Sequence, residues 1–114
     1  MARIIALHRE RMAQTVLDAV RTGDRRRLRR LLAPAVTLVD ERDPAGVVRG
    51  SADVAAALER MLGAPGATVR RVGGRDGIVL AGAGGVITFD ARWRIGAVRV
   101  IRDRAALRPW TGTR

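Results

Sequence analysis

Near the start of the chain, apolar residues recur at helical spacing. Ile5, Met12, Val16 and Val20 lie seven, four and four residues apart, with Ala13 and Leu17 beside them, which predicts a helix over 3–22. Thr22-Gly23 ends it, because glycine readily takes the backbone conformation that closes a helix. Asp24 is placed to cap a second, short helix over 25–33. That helix turns Leu28, Leu31 and Leu32 inward and Arg25, Arg26, Arg27, Arg29 and Arg30 outward, and Pro34 closes it. The period then changes to two. Val36-Thr37-Leu38-Val39-Asp40 alternates as a strand, Glu41 to Gly46 is charged and turn-forming, and 47–49 returns as a short strand. Gly50-Ser51 opens a third helix, with Ser51 as its cap and Asp53 in its first turn, where negative charge suits the helix dipole. It buries Val54, Ala57, Leu58, Met61 and Leu62 and stops at Gly63-Ala64-Pro65-Gly66.

The remainder predicts four strands, over 67–72, 77–82, 85–91 and 94–102. Gly73-Gly74-Arg75-Asp76-Gly77 and Gly82-Ala83-Gly84-Gly85 are hairpin turns, and Asp90-Ala91-Arg92-Trp93 joins the last pair. Neither glycine cluster stands between a strand and a helix, so neither is a phosphate-binding loop. The second half holds no helix long enough to serve as a crossover, so the spacings argue against βαβ units. Three helices ahead of an antiparallel meander predict an α+β fold. The chain reads as one domain over 1–114, with its core over about 3–108 and a tail over 109–114.

Four stretches resemble the SnoaL-like branch of the nuclear-transport-factor-2-like superfamily. Asp24 to Leu32 followed by Ala33-Pro34-Ala35-Val36 is similar to its D-x-x-x-L-x-x-L-L-A-P-D-V, with Ala35 where the family often has Asp. Val48-Arg49-Gly50-Ser51-Ala52-Asp53-Val54 is similar to V-R-G-x-x-x-V, and Gly77-Ile78-Val79-Leu80 to the strand carrying G-L-V-L. The terminal strand, Arg94-Ile95-Gly96-Ala97-Val98-Arg99-Val100-Ile101-Arg102, is the fourth. The combination looks most like the SnoaL-like domain at the C-terminus of certain extracytoplasmic-function RNA polymerase sigma factors. The resemblance implies a cone: a curved antiparallel sheet, a cystatin-like roll, with the N-terminal helix over the concave face and a pocket between them. It also implies a ligand-binding or regulatory module, a homodimer formed through the sheet, and contact with the transcription machinery. The regions of a sigma factor that bind promoter and polymerase have no counterpart here, so sigma activity is not implied.

Candidate site residues follow from that geometry. His8, the only histidine, lies beside the apolar face of the first helix, where it could act as a base or hydrogen-bond a ligand; a histidine exposed near the N-terminus is the plainer reading. Asp40, Glu41 and Asp43 end the first strand. Asp43-Pro44-Ala45-Gly46 resembles the stretch that carries the proton-abstracting acid of ketosteroid isomerases. A carboxylate shielded by apolar walls would have a raised pKa and could take a proton next to a carbonyl. That chemistry also needs donors for the enolate oxygen, for which the isomerase uses Tyr, and this chain has no Tyr. An epoxide-hydrolase arrangement would draw on Asp40, Arg99 and Asp90, although Asp90 is more simply a turn residue. On a regular strand Arg92, Arg94 and Arg102 share one face, and Arg99 shares the other with Ile95, Ala97 and Ile101. An inward Arg99 could hold an anionic ligand, and a bulge would put it outside. Trp93 and Trp110 could cover the pocket or pack a sheet edge. The ligand-binding candidates are therefore His8, Trp93 and Arg99. No set of residues forms a convincing catalytic group, and an enzyme of the isomerase, cyclase or hydrolase kind using Asp40 or Asp43 with His8 is the alternative.

Composition narrows the partners. There is no cysteine, which excludes disulfides, thiolate metal sites and a cysteine nucleophile and fits a reducing cytosol. One histidine and scattered acids make no metal site, and no cofactor is expected. The opening Ile4-Ile5-Ala6-Leu7 is too short for a signal peptide, and no apolar run approaches a membrane span, so a cytoplasmic protein without a membrane partner is expected. The net charge is +11, and all 22 basic residues are arginine. Such charge points to an acidic partner or to a coding bias. Without aromatic residues among the arginines, or a helix-turn-helix, nucleic acid is the less favoured partner and a small molecule in the pocket the more favoured.

Overall fold

The computed structural model describes residues 11–63, 66–72, 75–80 and 85–102. Three helices and six strands follow one another in the order α1 (Met12–Arg21), α2 (Arg25–Leu31), β1 (Leu32–Asp40), β2 (Asp43–Arg49), α3 (Ser51–Leu62), β3 (Ala67–Val72), β4 (Arg75–Leu80), β5 (Gly85–Ala91) and β6 (Ile95–Ile101). The α+β class holds. The N-terminal half of the predicted first helix, with His8, lies outside the described residues.

Asp24 has two jobs in the passage from α1 to α2. Its backbone N–H donates to Ala19 O at 2.9 Å while Gly23 N donates to Val20 O at 3.1 Å. These are the paired bonds of a helix end closed by a left-handed residue, and Gly23 supplies it at φ +69°. The Asp24 carboxylate then accepts from Arg27 N at 3.1 Å, capping α2 as its sequence position predicts. The third helix differs from expectation. Gly50, at φ +91°, is its N-cap and Ser51 its first helical residue, with no side-chain cap bond. Gly50 also donates its N–H to Val36 O at 2.8 Å, so it fastens α3 to β1.

The sheet runs β2-β1-β6-β5-β4-β3 and is open, with β2 and β3 at its edges. The predicted meander β3–β4–β5–β6 is antiparallel throughout. The expectation of a wholly antiparallel sheet needs one correction: the β1–β2 hairpin joins the meander through a parallel pair, β1 beside β6. The intervening α3 and meander carry the chain far enough to bring β6 back in the same direction as β1. Strand β1 begins at Leu32, ahead of its predicted start, despite Pro34. Register with β6 slips between Leu32 and Thr37, and Pro34, which has no N–H to give, sits in that slipped stretch. The expected 41–46 loop is shorter than predicted: only Glu41 and Arg42 form the turn, and Asp43 to Gly46 belong to the exposed edge strand β2.

All helices pack on one face of the sheet, α1 over β3, β4 and β5, and α3 over β1 and β2. The core between them is almost purely aliphatic: Val16 and Leu17 of α1, Leu28 of α2, Val54 and Leu58 of α3, and Val36, Leu38, Ile78, Ile87, Val98 and Val100 of the strands. Arg21 ties α1 to β3 by donating Nη2–H to Ala67 O at 2.7 Å.

Candidate functional site

Strand register decides which polar groups look toward the helices. On the covered face, Asp40 pairs with Val100, Val100 with Ile87, Ile87 with Ile78 and Ile78 with Val69. Val100, Ile87 and Ile78 are fully buried. Asp40 therefore stands at the β1 end of an apolar row, on the same side as the core. Arg102 follows Val100 by two positions and shares that side.

The two form an ion pair. Arg102 donates Nη2–H to Asp40 Oδ2 at 3.0 Å and Nε–H to Oδ1 at 3.3 Å. Their side chains are only 15% and 25% exposed for Arg102 and Asp40 respectively, so water screens the pair incompletely. Arg42 N also donates to Asp40 Oδ1 at 3.0 Å across the tight turn. The Arg102 hydrogen bonds, supported by the Arg42 N–H, hold the Asp40 carboxyl below the ordinary aspartate value despite the opposing effect of burial. Neighbouring backbone atoms lock the corner: Glu41 N donates to Val100 O, and Arg102 N to Glu41 Oε2, each at 3.0 Å. Gly85 of β5 leaves room for the arginine, since a Cβ there would stand 3.0 Å from its guanidinium.

The raised pKa that apolar shielding would give Asp40 is not what this arrangement favours. Apolar walls alone would favour the neutral acid, but a two-pronged arginine and a backbone N–H favour the anion. Asp40 so held is a weak base and a good anchor. Asp43 is exposed at the start of the edge strand β2 and has no apolar enclosure. Asp90 lies in β5, paired with Ala97 and exposed, so the turn expected there begins after Ala91.

Arg99 sits between buried Val98 and Val100 and is exposed, on the sheet face away from the helices, beside Val39 and Thr88. The cause is a register break in β6. Ala91 pairs with Ile95 but Asp90 with Ala97, so Gly96 is an extra residue that reverses the inward parity of everything after it. The inward arginine is Arg102, which periodicity had grouped with Arg92 and Arg94. Those two lie in the β5–β6 turn, exposed. Trp93 is in the same turn and 55% exposed. His8 and Trp110 fall outside the described residues.

A separate open depression of about 530 Å³ lies between β2 and α3, lined by Val47, Val48, Arg49, Asp53, Ala56 and Arg60. Among the described residues, no three His, Cys, Asp or Glu side chains gather as metal ligands would, and no helix is long and apolar enough to cross a membrane.

No family model and no curated protein matches the sequence. Solved structures do match the fold. The extracytoplasmic function sigma factor SigJ of Mycobacterium tuberculosis superposes with TM-score 0.66 at 18% identity, over 89% of this chain and 44% of that one. An LEH-like epoxide hydrolase from the same organism gives 0.59 at 19% identity, over 92% and 93%. An NTF2-like protein of unknown function from Cytophaga hutchinsonii gives 0.53 at 18%, over 84% and 90%. Helix order, sheet order and these likenesses together define the class: the chain has the nuclear-transport-factor-2-like, SnoaL-like fold.

Proposed function

We propose that this protein is a non-catalytic module that binds an apolar small molecule on the helix-covered side of its sheet, with the Asp40–Arg102 pair at the polar end of the site. The observation that carries the reading is the locked state of Asp40. Both of its oxygens are engaged and its pKa is lowered, which ill suits abstracting a proton, and the arginine that the carboxylate orients is the group that would meet a ligand's acceptor. The row Val100, Ile87 and Ile78 beside the pair is fully buried in the core, so an apolar ligand would reach it only by parting the covering helices from the sheet. Related folds lend support, since one solved neighbour, from M. tuberculosis, was crystallised in complex with estradiol-17β-hemisuccinate. The likeness to SigJ supports a regulatory role beside the transcription machinery. Pairing of two copies through the outer sheet face, on the β1 and β6 side where half-buried Val39 lies beside exposed Arg99, is part of the same reading.

Titration of the protein with estradiol-17β-hemisuccinate, followed by tryptophan fluorescence and calorimetry, tests it. The expected result is saturable binding that weakens at least tenfold in Arg102→Met. Absence of saturable binding overturns the ligand reading for this chemistry. The enzyme alternative is tested on ketosteroid and epoxide substrates: turnover above background that Asp40→Asn or His8→Ala abolishes would establish it in place of the module.

A further inference from the structure

The arginines of α2 are a dense run of charge, and among the described residues only one of the five has an ion pair. Residues 21–30 hold six arginines and one aspartate, a net +5 of the chain's +11. A coding bias toward arginine would spread charge along the chain, whereas nearly half of it falls in ten residues. Arg25, Arg26, Arg27, Arg29 and Arg30 are all exposed. Arg25 is paired with Glu59 at 3.0 Å. Among the described residues, Arg26, Arg27, Arg29 and Arg30 have no ion pair. The one nearby acid on the helix, Asp24, is spent on the N-cap.

Folding does not require this arrangement. Leu28, fully buried, and half-buried Leu31 fasten α2 to the core, and the exposed positions could carry any helix-forming polar residue. Arginines at 25 and 29, 26 and 29, 26 and 30, and 27 and 30 are instead neighbours on successive turns, where like charges repel. Salt screens this repulsion in part, and an anion with several charges lying along the helix would relieve it further.

The surface also indicates which kind. Its exposed positions are all guanidinium, without an apolar residue among them. A helix that lies on a membrane needs a bulky apolar face to insert, and the leucines of α2 are turned into the core. A protein interface is built round a desolvated apolar centre, which α2 does not offer. An array of planar forks without aromatic residues fits a phosphate backbone, and without aromatics it cannot stack on splayed bases. We infer that α2 is a docking surface for the phosphate backbone of duplex nucleic acid, bound without regard to sequence through Arg26, Arg27, Arg29 and Arg30. This site is distinct from the ligand site and does not depend on it.

Fluorescence anisotropy of a labelled mixed-sequence DNA duplex, titrated with the full chain at 50 and 200 mM salt, tests the inference. Four neutralised phosphates predict a loss of affinity on the order of 10²-fold over that range. The R26Q/R27Q/R29Q/R30Q variant should lose most of the affinity at 50 mM salt and most of the salt dependence. R70Q/R92Q/R94Q/R99Q, which removes the same charge elsewhere, should lose only a few-fold. The double variant R26Q/R30Q gives a milder step should the quadruple variant unfold, and circular dichroism checks both. No binding at 50 mM salt, equal losses in the two quadruple variants, or tighter binding to phosphatidylserine vesicles than to the duplex would each overturn it.

Discussion

Arg102, the residue after β6, reaches Asp40 at the end of β1, guanidinium to carboxylate at 3.0 Å, across the parallel seam between β1 and β6. Because the pair is largely covered, the lowered pKa of Asp40 is a stability term with a definite pH range. The folded state favours the anion more than the unfolded chain does. Its contribution is fully present above the ordinary aspartate value and is lost as pH falls below about 4, toward the lower folded value. Asp40→Asn should therefore destabilise the protein at pH 7 by roughly 1–3 kcal/mol, and the difference from wild type should shrink in acid. Urea titrations at pH 7 and pH 3 measure both.

Arg99 and Arg102 should behave oppositely. Arg99→Ala, on the exposed outer face, should change stability by less than about 0.5 kcal/mol and leave ligand binding intact. Arg102→Met strips Asp40 of its two strongest donors, and should cost about 1–3 kcal/mol together with the binding loss given above. Equal effects of the two substitutions would contradict the parity reversal at Gly96.

Leu28 is the only fully buried side chain of α2. Leu28→Ala should cost about 2–5 kcal/mol and detach the arginine helix from the core before the rest of the domain unfolds. Chemical denaturation with hydrogen exchange at α2 measures both.

Gly50→Ala isolates backbone strain from crowding. Nothing lies within 4 Å of the Cβ it would add, yet the residue sits at φ +91°. The expected cost is about 1–3 kcal/mol from conformation alone, read from the shift in the denaturation midpoint.

The elements of this fold were legible where local chemistry decides them. Strands 67–72 and 85–91 and the end of α3 at Leu62 follow from alternation and from Gly and Pro placement. The cap at Asp24 follows from its position before an amphipathic run. What the chain's local pattern could not carry is pairing. Nothing near Asp40 or Arg102 marks β1 and β6 as neighbours, so their ion pair is invisible in the sequence, where Asp40 reads as a solvated acid first and a shielded base second. The extra residue at Gly96 is equally silent in a period-two reading, and it exchanged the roles of Arg99 and Arg102. A glycine in a closing strand is the signal that could have prompted the question. Gly50 was passed over as cap because Ser51 is the better side-chain capper, whereas the site needs a left-handed backbone and a bond to Val36.

The parallel seam also governs how the chain can assemble. Each hairpin closes over a short loop, but Asp40 and Arg102 are 62 residues apart in sequence. The entropy of bringing them together is met only after α3 and the meander have taken up most of the intervening slack. Of the sheet's pairings, the β1–β6 seam therefore carries the largest loop-closure cost, and low φ-values at Leu38 and Val98 are the expected signature of its late formation.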